Sequence, residues 1–146
     1  MGRPRKRRST KKAAAPRVPD RWAYEPDETP KRKHAWHQAH AGFVKVRGVL
    51  VGKCPSGLPL VQAEALLNTG IPFPMERWGQ AWPDRIYVVH EGVVYRAHAT
   101  NPGRSYHAFP ELGRELRRLP RDFQNRLIEL ARSLGCEREV RRWIRR

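Results

Sequence analysis

RIYVVHEGVVYRAHATNPGRSYHAFPE, residues 85–111, places two runs of strand-forming residues on either side of Glu91-Gly92. β-Branched and aromatic side chains favour extended backbone, and a glycine in a two-residue connection supplies the positive φ of a tight hairpin. The stretch therefore predicts a β-hairpin over 85–90 and 93–99. Its register follows from the turn: His90 faces Val93, Val89 faces Val94, Val88 faces Tyr95, Tyr87 faces Arg96, Ile86 faces Ala97 and Arg85 faces His98.

Side chains alternate along a strand, so Ile86, Val88, His90, Val93, Tyr95, Ala97 and Ala99 share one side, which reads as core. Arg85, Tyr87, Val89, Val94, Arg96 and His98 share the other. Cations flanking an aromatic on a solvent-facing sheet suit phosphates and unpaired bases, so this side is expected to contact nucleic acid. Asn101-Pro102-Gly103 ends the second strand. Arg104, Ser105, Tyr106 and His107 then fall in a loop fixed to the sheet edge, a place that often carries function. The plainer reading is a polar hairpin face with an aromatic plug beneath the loop.

The chain of 146 residues suits one domain with a core of fair size. Thirty Lys and Arg against fourteen Asp and Glu give a net charge of +16. A field of that sign favours polyanions, with nucleic acid, RNA or DNA, as the leading partner and an anionic membrane surface as the rival. The excess sits at the ends: residues 1–40 carry 12 basic and 4 acidic side chains, 41–110 carry 7 and 4, and 111–146 carry 11 and 6. No apolar run approaches the roughly 20 residues of a membrane span, and the basic N-terminus leads into Ala13-Ala14-Ala15-Pro16 rather than a secretory apolar segment. Cys54 and Cys136 make no disulfide framework and fit reduced thiols in a cytoplasmic protein.

Residues 1–39 are rich in charge and proline and poor in apolar groups, which predicts a disordered basic arm. Arg3, Arg5, Lys6, Arg7, Arg8, Lys11 and Lys12 are its nucleic-acid-binding candidates. Gly2-Arg3-Pro4-Arg5 resembles arms that enter an A·T-rich minor groove, and equally a nuclear-targeting or ribosomal-protein tail. His34, His37 and His40 recur every three residues, but a closed zinc site needs four ligands and no fourth is near in sequence, so no metal is expected. Trp36 and Phe43 read as the first residues to dock on the core.

Residues 40–146 are expected to form one α+β domain, a small antiparallel sheet with a central hairpin, covered by helices. Phe43 to Lys53 predicts a strand that Gly48 bulges, with Lys45 and Arg47 on one face, available to extend a basic surface. A helix is predicted over 59–68, with Leu60, Ala63, Leu66 and Leu67 on the sheet, and Gly70 stops it. Ile71 to Pro83 reads as a loop whose Phe73, Trp78 and Trp82 cover the core edge.

A short helix follows at 111–118. Another starts at Pro120, with a stripe of Phe123, Leu127, Leu130, Ala131 and Leu134, and ends at Gly135. The last, 137–146, turns Val140, Trp143 and Ile144 inward and Arg138, Arg141, Arg142, Arg145 and Arg146 outward. Two helices joined by a short glycine-containing turn fit a helix-turn-helix or ordinary packing, and the latter is the commoner arrangement.

Two further functions compete with binding. A metal-independent ribonuclease would use His107 and Glu111 as the acid–base pair, with Tyr106 assisting and Arg96 and Arg104 holding the phosphate. In residue types alone this set is similar to that of small toxin ribonucleases. An assembly protein would dock on a larger nucleoprotein complex or acidic partner. No phosphate-binding glycine loop, paired CxxC, HExxH or Gly-x-Ser-x-Gly elbow is present, and no motif asks for a cofactor. Cys54 reads as a small buried hydrophobe rather than a nucleophile.

Overall fold

Glu91 and Gly92 take φ values of +48° and +78°, the paired left-handed geometry of a tight two-residue hairpin turn. The computed structural model describes residues 22–26, 38–74 and 82–146. Within it the turn joins β5 (Arg85–His90) to β6 (Val93–Asn101), in the register that the sequence predicts, from His90 opposite Val93 to Arg85 opposite His98.

The sheet around this hairpin has five strands. In chain order they are β1 (Ala23–Tyr24), β4 (Ile71–Phe73), β5, β6 and β7 (Ser105–Pro110). In space β4 to β7 form an antiparallel meander, and β1 lies parallel to β7 at the far edge. The expected antiparallel sheet is therefore mixed. Residues 104–107 were expected in a loop, but β6 runs on to Asn101 and β7 begins at Ser105. Pro102 and Gly103 (φ +78°) make a tight turn closed by Arg104 N–H donating to Asn101 O at 2.9 Å.

Part of the region expected to be a disordered arm belongs to this fold. Trp22 is only 8% exposed and meets Tyr106 edge-on at 5.3 Å. Its backbone is held by Asn68, which accepts from Trp22 N–H (2.7 Å) and donates to Trp22 O (2.8 Å), as a neighbouring strand would. One tryptophan with a partner for its peptide groups is enough to recruit a short edge strand. The arm candidates Arg3, Arg5, Lys6, Arg7, Arg8, Lys11 and Lys12 lie outside the described residues, as do His34, Trp36, His37 and Trp78.

The predicted strand at 43–53 is two strands, β2 (Gly42–Val46) and β3 (Val49–Lys53), turning at Arg47-Gly48 with φ values of +50° and +78°. Gly48 makes a turn where a bulge was expected. Arg47 consequently sits at a hairpin tip rather than beside Lys45, and this two-stranded sheet is separate from the five-stranded one.

Helices cover both faces of the main sheet. α1 (Leu60–Leu67) buries Ala63 and Leu67 on the Ile86, Val88, Tyr95 and Ala97 side. Leu60, at its first position, stays exposed. α2 (Gly113–Arg117), α3 (Arg121–Ser133) and α4 (Glu137–Arg145) cover the opposite side, where Tyr87, Val89 and Val94 join Leu116, Phe123, Leu127, Ala131, Val140 and Trp143 in a second core. α3 ends where predicted: Gly135 N–H donates to Arg132 O and Cys136 N–H to Ala131 O, a Schellman cap that turns the chain into α4. Leu134 lies past the last helical turn and remains exposed.

The start of α4 closes over the β5–β6 turn. A Cβ built on Gly92 would lie 2.5 Å from Glu139 Cβ, whereas one on Gly48, at the same φ, would meet nothing. Gly48→Ala is expected to cost about 1 kcal/mol, the left-handed backbone alone, and Gly92→Ala clearly more. Urea unfolding followed by tryptophan fluorescence compares the two; equal losses would contradict the close approach of α4.

Candidate nucleic-acid interface

The hairpin face expected to meet solvent is closed near the turn and half-buried away from it. Tyr87 is 1% exposed and rings with Phe123 at 5.3 Å, so it cannot stack on a base. Its hydroxyl accepts from Arg85 Nη1 at 3.3 Å, and burial raises its pKa. The expectation for Tyr87 fails because α2–α4 cover this end of the sheet. Toward the open end of the hairpin, Arg85, Arg96 and His98 are only half-buried.

The β6–β7 register puts His98 opposite His107 and Arg96 opposite Phe109, which aligns these four side chains on the α2–α4 side. His98 stacks on Phe109 (centroids 5.5 Å, 26°) and lies 6.5 Å from the His107 ring. The Arg96 guanidinium sits 4.8 Å over Phe109. Register shifts between Ala99 and Asn101, so Thr100 is the extra residue of a β-bulge. Such bulges re-aim side chains, and here the Thr100 hydroxyl meets His107 Nδ1 at 2.8 Å. That hydroxyl has one proton, and it donates it to Glu25 O at 2.6 Å. Thr100 therefore accepts from His107 Nδ1–H, which makes Nε2 the lone-pair nitrogen of the neutral ring.

The five residues of the ribonuclease reading are not assembled as expected. Glu111 is 3% exposed; its Oε2 contacts Arg96 Nη1 at 3.1 Å, and its Oε1 accepts from Leu112 N–H at 2.9 Å. The Arg96 contact lacks hydrogen-bond alignment, leaving Oε2 and Arg96 Nε without a hydrogen-bond partner. Burial raises the Glu111 pKa and Arg96 opposes the rise. Four residues of extended chain, roughly 13 Å, separate Glu111 from His107, with Phe109 between, so the two do not form an acid–base pair.

Tyr106 faces the α1 side, fully buried, with its hydroxyl donating to Pro83 O at 2.7 Å and its pKa raised by burial. Arg104 is exposed in the β6–β7 turn. Of the five, His107 and Arg96 lie on the same face of the sheet and are both half-buried. Thr100, Phe109 and Glu25 were missed. The symmetry of the sequence about Pro102-Gly103, with His98 and His107 equidistant from it, was the available signal. Cys54 donates its thiol proton to Ala108 O at 3.3 Å, and burial pushes its pKa to about 11, which keeps it protonated.

A second basic surface lies on α4. Val140, Trp143 and Ile144 face the core, which turns Arg138, Arg141, Arg142, Arg145 and Arg146 outward as predicted. Glu137 takes two hydrogen bonds from Arg132 (both 3.0 Å) and two from Arg141 (3.1 and 3.2 Å), which hold its pKa down to about 2. Arg146 lies 5.0 Å over the Trp143 ring. Among the described residues, Arg138, Arg142 and Arg145 make no ion pair. An open groove of about 550 Å³ runs here, lined by Arg132, Arg138, Arg141 and Arg145 together with Glu137 and Glu139. Lys45 and Arg47 are exposed on the β2–β3 hairpin. Among the described residues no helix is long and apolar enough to cross a membrane.

Compared with known proteins, the chain matches no family model, no curated protein and no solved structure.

Proposed function

We propose that the protein binds nucleic acid, chiefly through its phosphate backbone, with α4 as the principal contact. The observation that carries this reading is that α4 is anchored by its apolar face and presents Arg138, Arg142 and Arg145 to solvent, where none of the three makes an ion pair among the described residues. Guanidinium groups on a fixed helix hold phosphate oxygens at little further cost in entropy. Arg141 contributes less because Glu137 shares its charge. Lys45, Arg47, Arg85, Arg96 and His98 supply additional contacts, and Tyr87 supplies none. Such contacts select for charge rather than sequence, so RNA and DNA are both ligands of this surface.

Binding is expected to weaken steeply as salt rises, because each neutralised phosphate releases a counterion. Fluorescence anisotropy of labelled RNA and DNA across a salt series measures the slope. The triple variant R138Q/R142Q/R145Q should flatten it by about 2 to 3 units, at roughly 0.7 per lost contact on single strands and 0.9 on duplex. R141Q alone should move it less than R142Q. A salt-independent affinity in the unsubstituted protein would refute the reading.

A further inference from the structure

The outer part of the β2–β3 hairpin, residues 44–50, is exposed at every position. Its base is fixed. Phe43 and Gly52 are register partners; Phe43 stacks on Trp143 at 5.5 Å, and a Cβ built on Gly52 would lie 2.5 Å from Pro110 O. Beyond that pair both faces of the two-stranded sheet meet solvent, Lys45 and Leu50 on one, Val44, Val46 and Val49 on the other. The hairpin is thus an arm that runs past its fixed base by roughly 10 Å, three residues at about 3.4 Å each.

The composition of the arm selects its partner. Val46 and Val49, 48% and 64% exposed, flank the Arg47-Gly48 turn, and apolar side chains on a protruding strand pair mark a contact surface. Its cations are Lys45 and Arg47, and residues 38–63 hold no Asp or Glu, so a second copy would set like charges together. A lipid surface would receive the tip first, and the tip is Arg47, which would have to enter ahead of the valines. Unpaired bases stack on aromatic rings, and residues 44–50 contain none. The major groove of B-form DNA suits each feature. It is about 12 Å wide and about 8.5 Å deep and admits a two-stranded β-ribbon, and its floor offers guanine acceptors to an arginine and thymine methyl groups to apolar side chains. The arm also adjoins the cationic helix, because Trp143 touches both Phe43 and, at 5.0 Å, the Arg146 guanidinium.

We infer that the β2–β3 hairpin enters the major groove of duplex DNA, with Arg47 on base edges, Val46 and Val49 against the groove floor and Lys45 on the backbone. The inference rests on the nucleic-acid-binding reading and adds a preferred ligand to it. Arginines of α4 hold the phosphates of any nucleic acid, whereas the arm fits B-form DNA and not A-form RNA, whose major groove is deep and narrow.

Fluorescence anisotropy of the full chain is compared on three labelled duplexes: DNA, RNA of the same sequence, and that DNA with glucosylated 5-hydroxymethylcytosine in place of cytosine. The glucose fills the major groove and leaves the phosphates unchanged. Plain DNA should bind about tenfold more tightly than either of the others at equal salt. Arg47→Asn removes the charge but keeps a residue that tolerates the left-handed backbone at φ +50°, so the turn is preserved. It should weaken DNA binding about tenfold and RNA binding less than about twofold, with the salt slope nearly unchanged; loss of a phosphate contact would instead shift that slope by about 0.9. Val46→Thr/Val49→Thr keeps shape, β-branching and charge, and should weaken DNA binding roughly tenfold, about fourfold for each methyl replaced.

Equal affinity for the three duplexes would overturn the groove-binding arm, and a steep salt slope in that result would leave the phosphate reading standing. Arm variants that bind DNA as the unsubstituted protein does would overturn it as well. Binding to none of the duplexes would overturn both readings. Vesicles of phosphatidylcholine and phosphatidylglycerol supply the last arm of the test: substitutions that release the protein from vesicles while DNA binding is unchanged would make the hairpin a membrane contact and end the inference. Near-UV circular dichroism reports whether each variant folds, and the glucosylated duplex tests the unsubstituted protein without any variant.

Discussion

Trp143→Ala is expected to destabilise the protein by about 3–5 kcal/mol, the range for truncating a large buried aromatic. Trp143 is 7% exposed and stacks on Phe43 at 5.5 Å, so it joins α4 to the β2–β3 hairpin as well as to the main core. Its indole Nε1–H donates to Glu111 O at 2.9 Å, and truncation leaves that carbonyl without this donor. The loss should appear as a fall of about 2 M in the urea midpoint, taking a slope near 2 kcal/mol per M for a small domain. Trp143→Phe keeps most of the apolar area and loses the donor, so its cost should be well under half as large. Equal losses in the two variants would show that packing contributes little here. Because α4 carries the exposed arginines, Trp143→Ala should also weaken nucleic-acid binding at temperatures where the rest of the domain is still folded.

Arg96→Met is expected to cost about 3 kcal/mol at neutral pH and much less in acid. Glu111 is buried, and removing its cation leaves an uncompensated carboxylate. The sign follows from its pKa, which burial already raises above 4.5 and Arg96 holds back. A carboxyl with a raised folded-state pKa binds its proton more tightly when folded, so its titration favours folding below the unfolded value and loses that contribution as pH rises through the folded value. Without Arg96 the folded value rises further, so the deficit should grow from pH 4.5 upward and shrink below it. Urea midpoints at pH 4 and pH 7.5 test this directly. The double variant Arg96→Met/Glu111→Gln should recover much of the neutral-pH loss, because the amide carries no charge. An equal deficit at both pH values would show that the Glu111 charge is not the cause.

The same pair shows where sequence reasoning reaches its limit. Arg96 and Glu111 are fifteen residues apart, and nothing in either residue type tells a solvent-facing cation from one folded over a carboxylate. Their meeting requires β7 to pair with β6 and the chain to turn into α2, so it is a product of topology. The pairing of His98 with His107 is more local. A tight turn at Pro102-Gly103 implies it, and it was missed because residues 104–107 were assigned to a loop. Treating Gly48 as a bulge was a comparable error, since Val-Arg-Gly-Val repeats the pattern of His-Glu-Gly-Val at the main hairpin.

Local patterns determined the β5–β6 register, the placing of α1, α3 and α4, the stop at Gly135 and the outward arginines of α4. Each depends on turn geometry or helical periodicity over fewer than about fifteen residues, and neighbours in sequence settle such questions. Only the tertiary structure decided that both faces of the hairpin are covered near its turn, that Trp22 joins the sheet and that Tyr87 is sealed from solvent. Alternation separates two faces without saying what lies on each. The doubled valines Val88-Val89 and Val93-Val94 already departed from strict alternation, as strands buried on both sides do. Which helices cover them depends on contacts between residues far apart in the chain, and those exist only once it has folded.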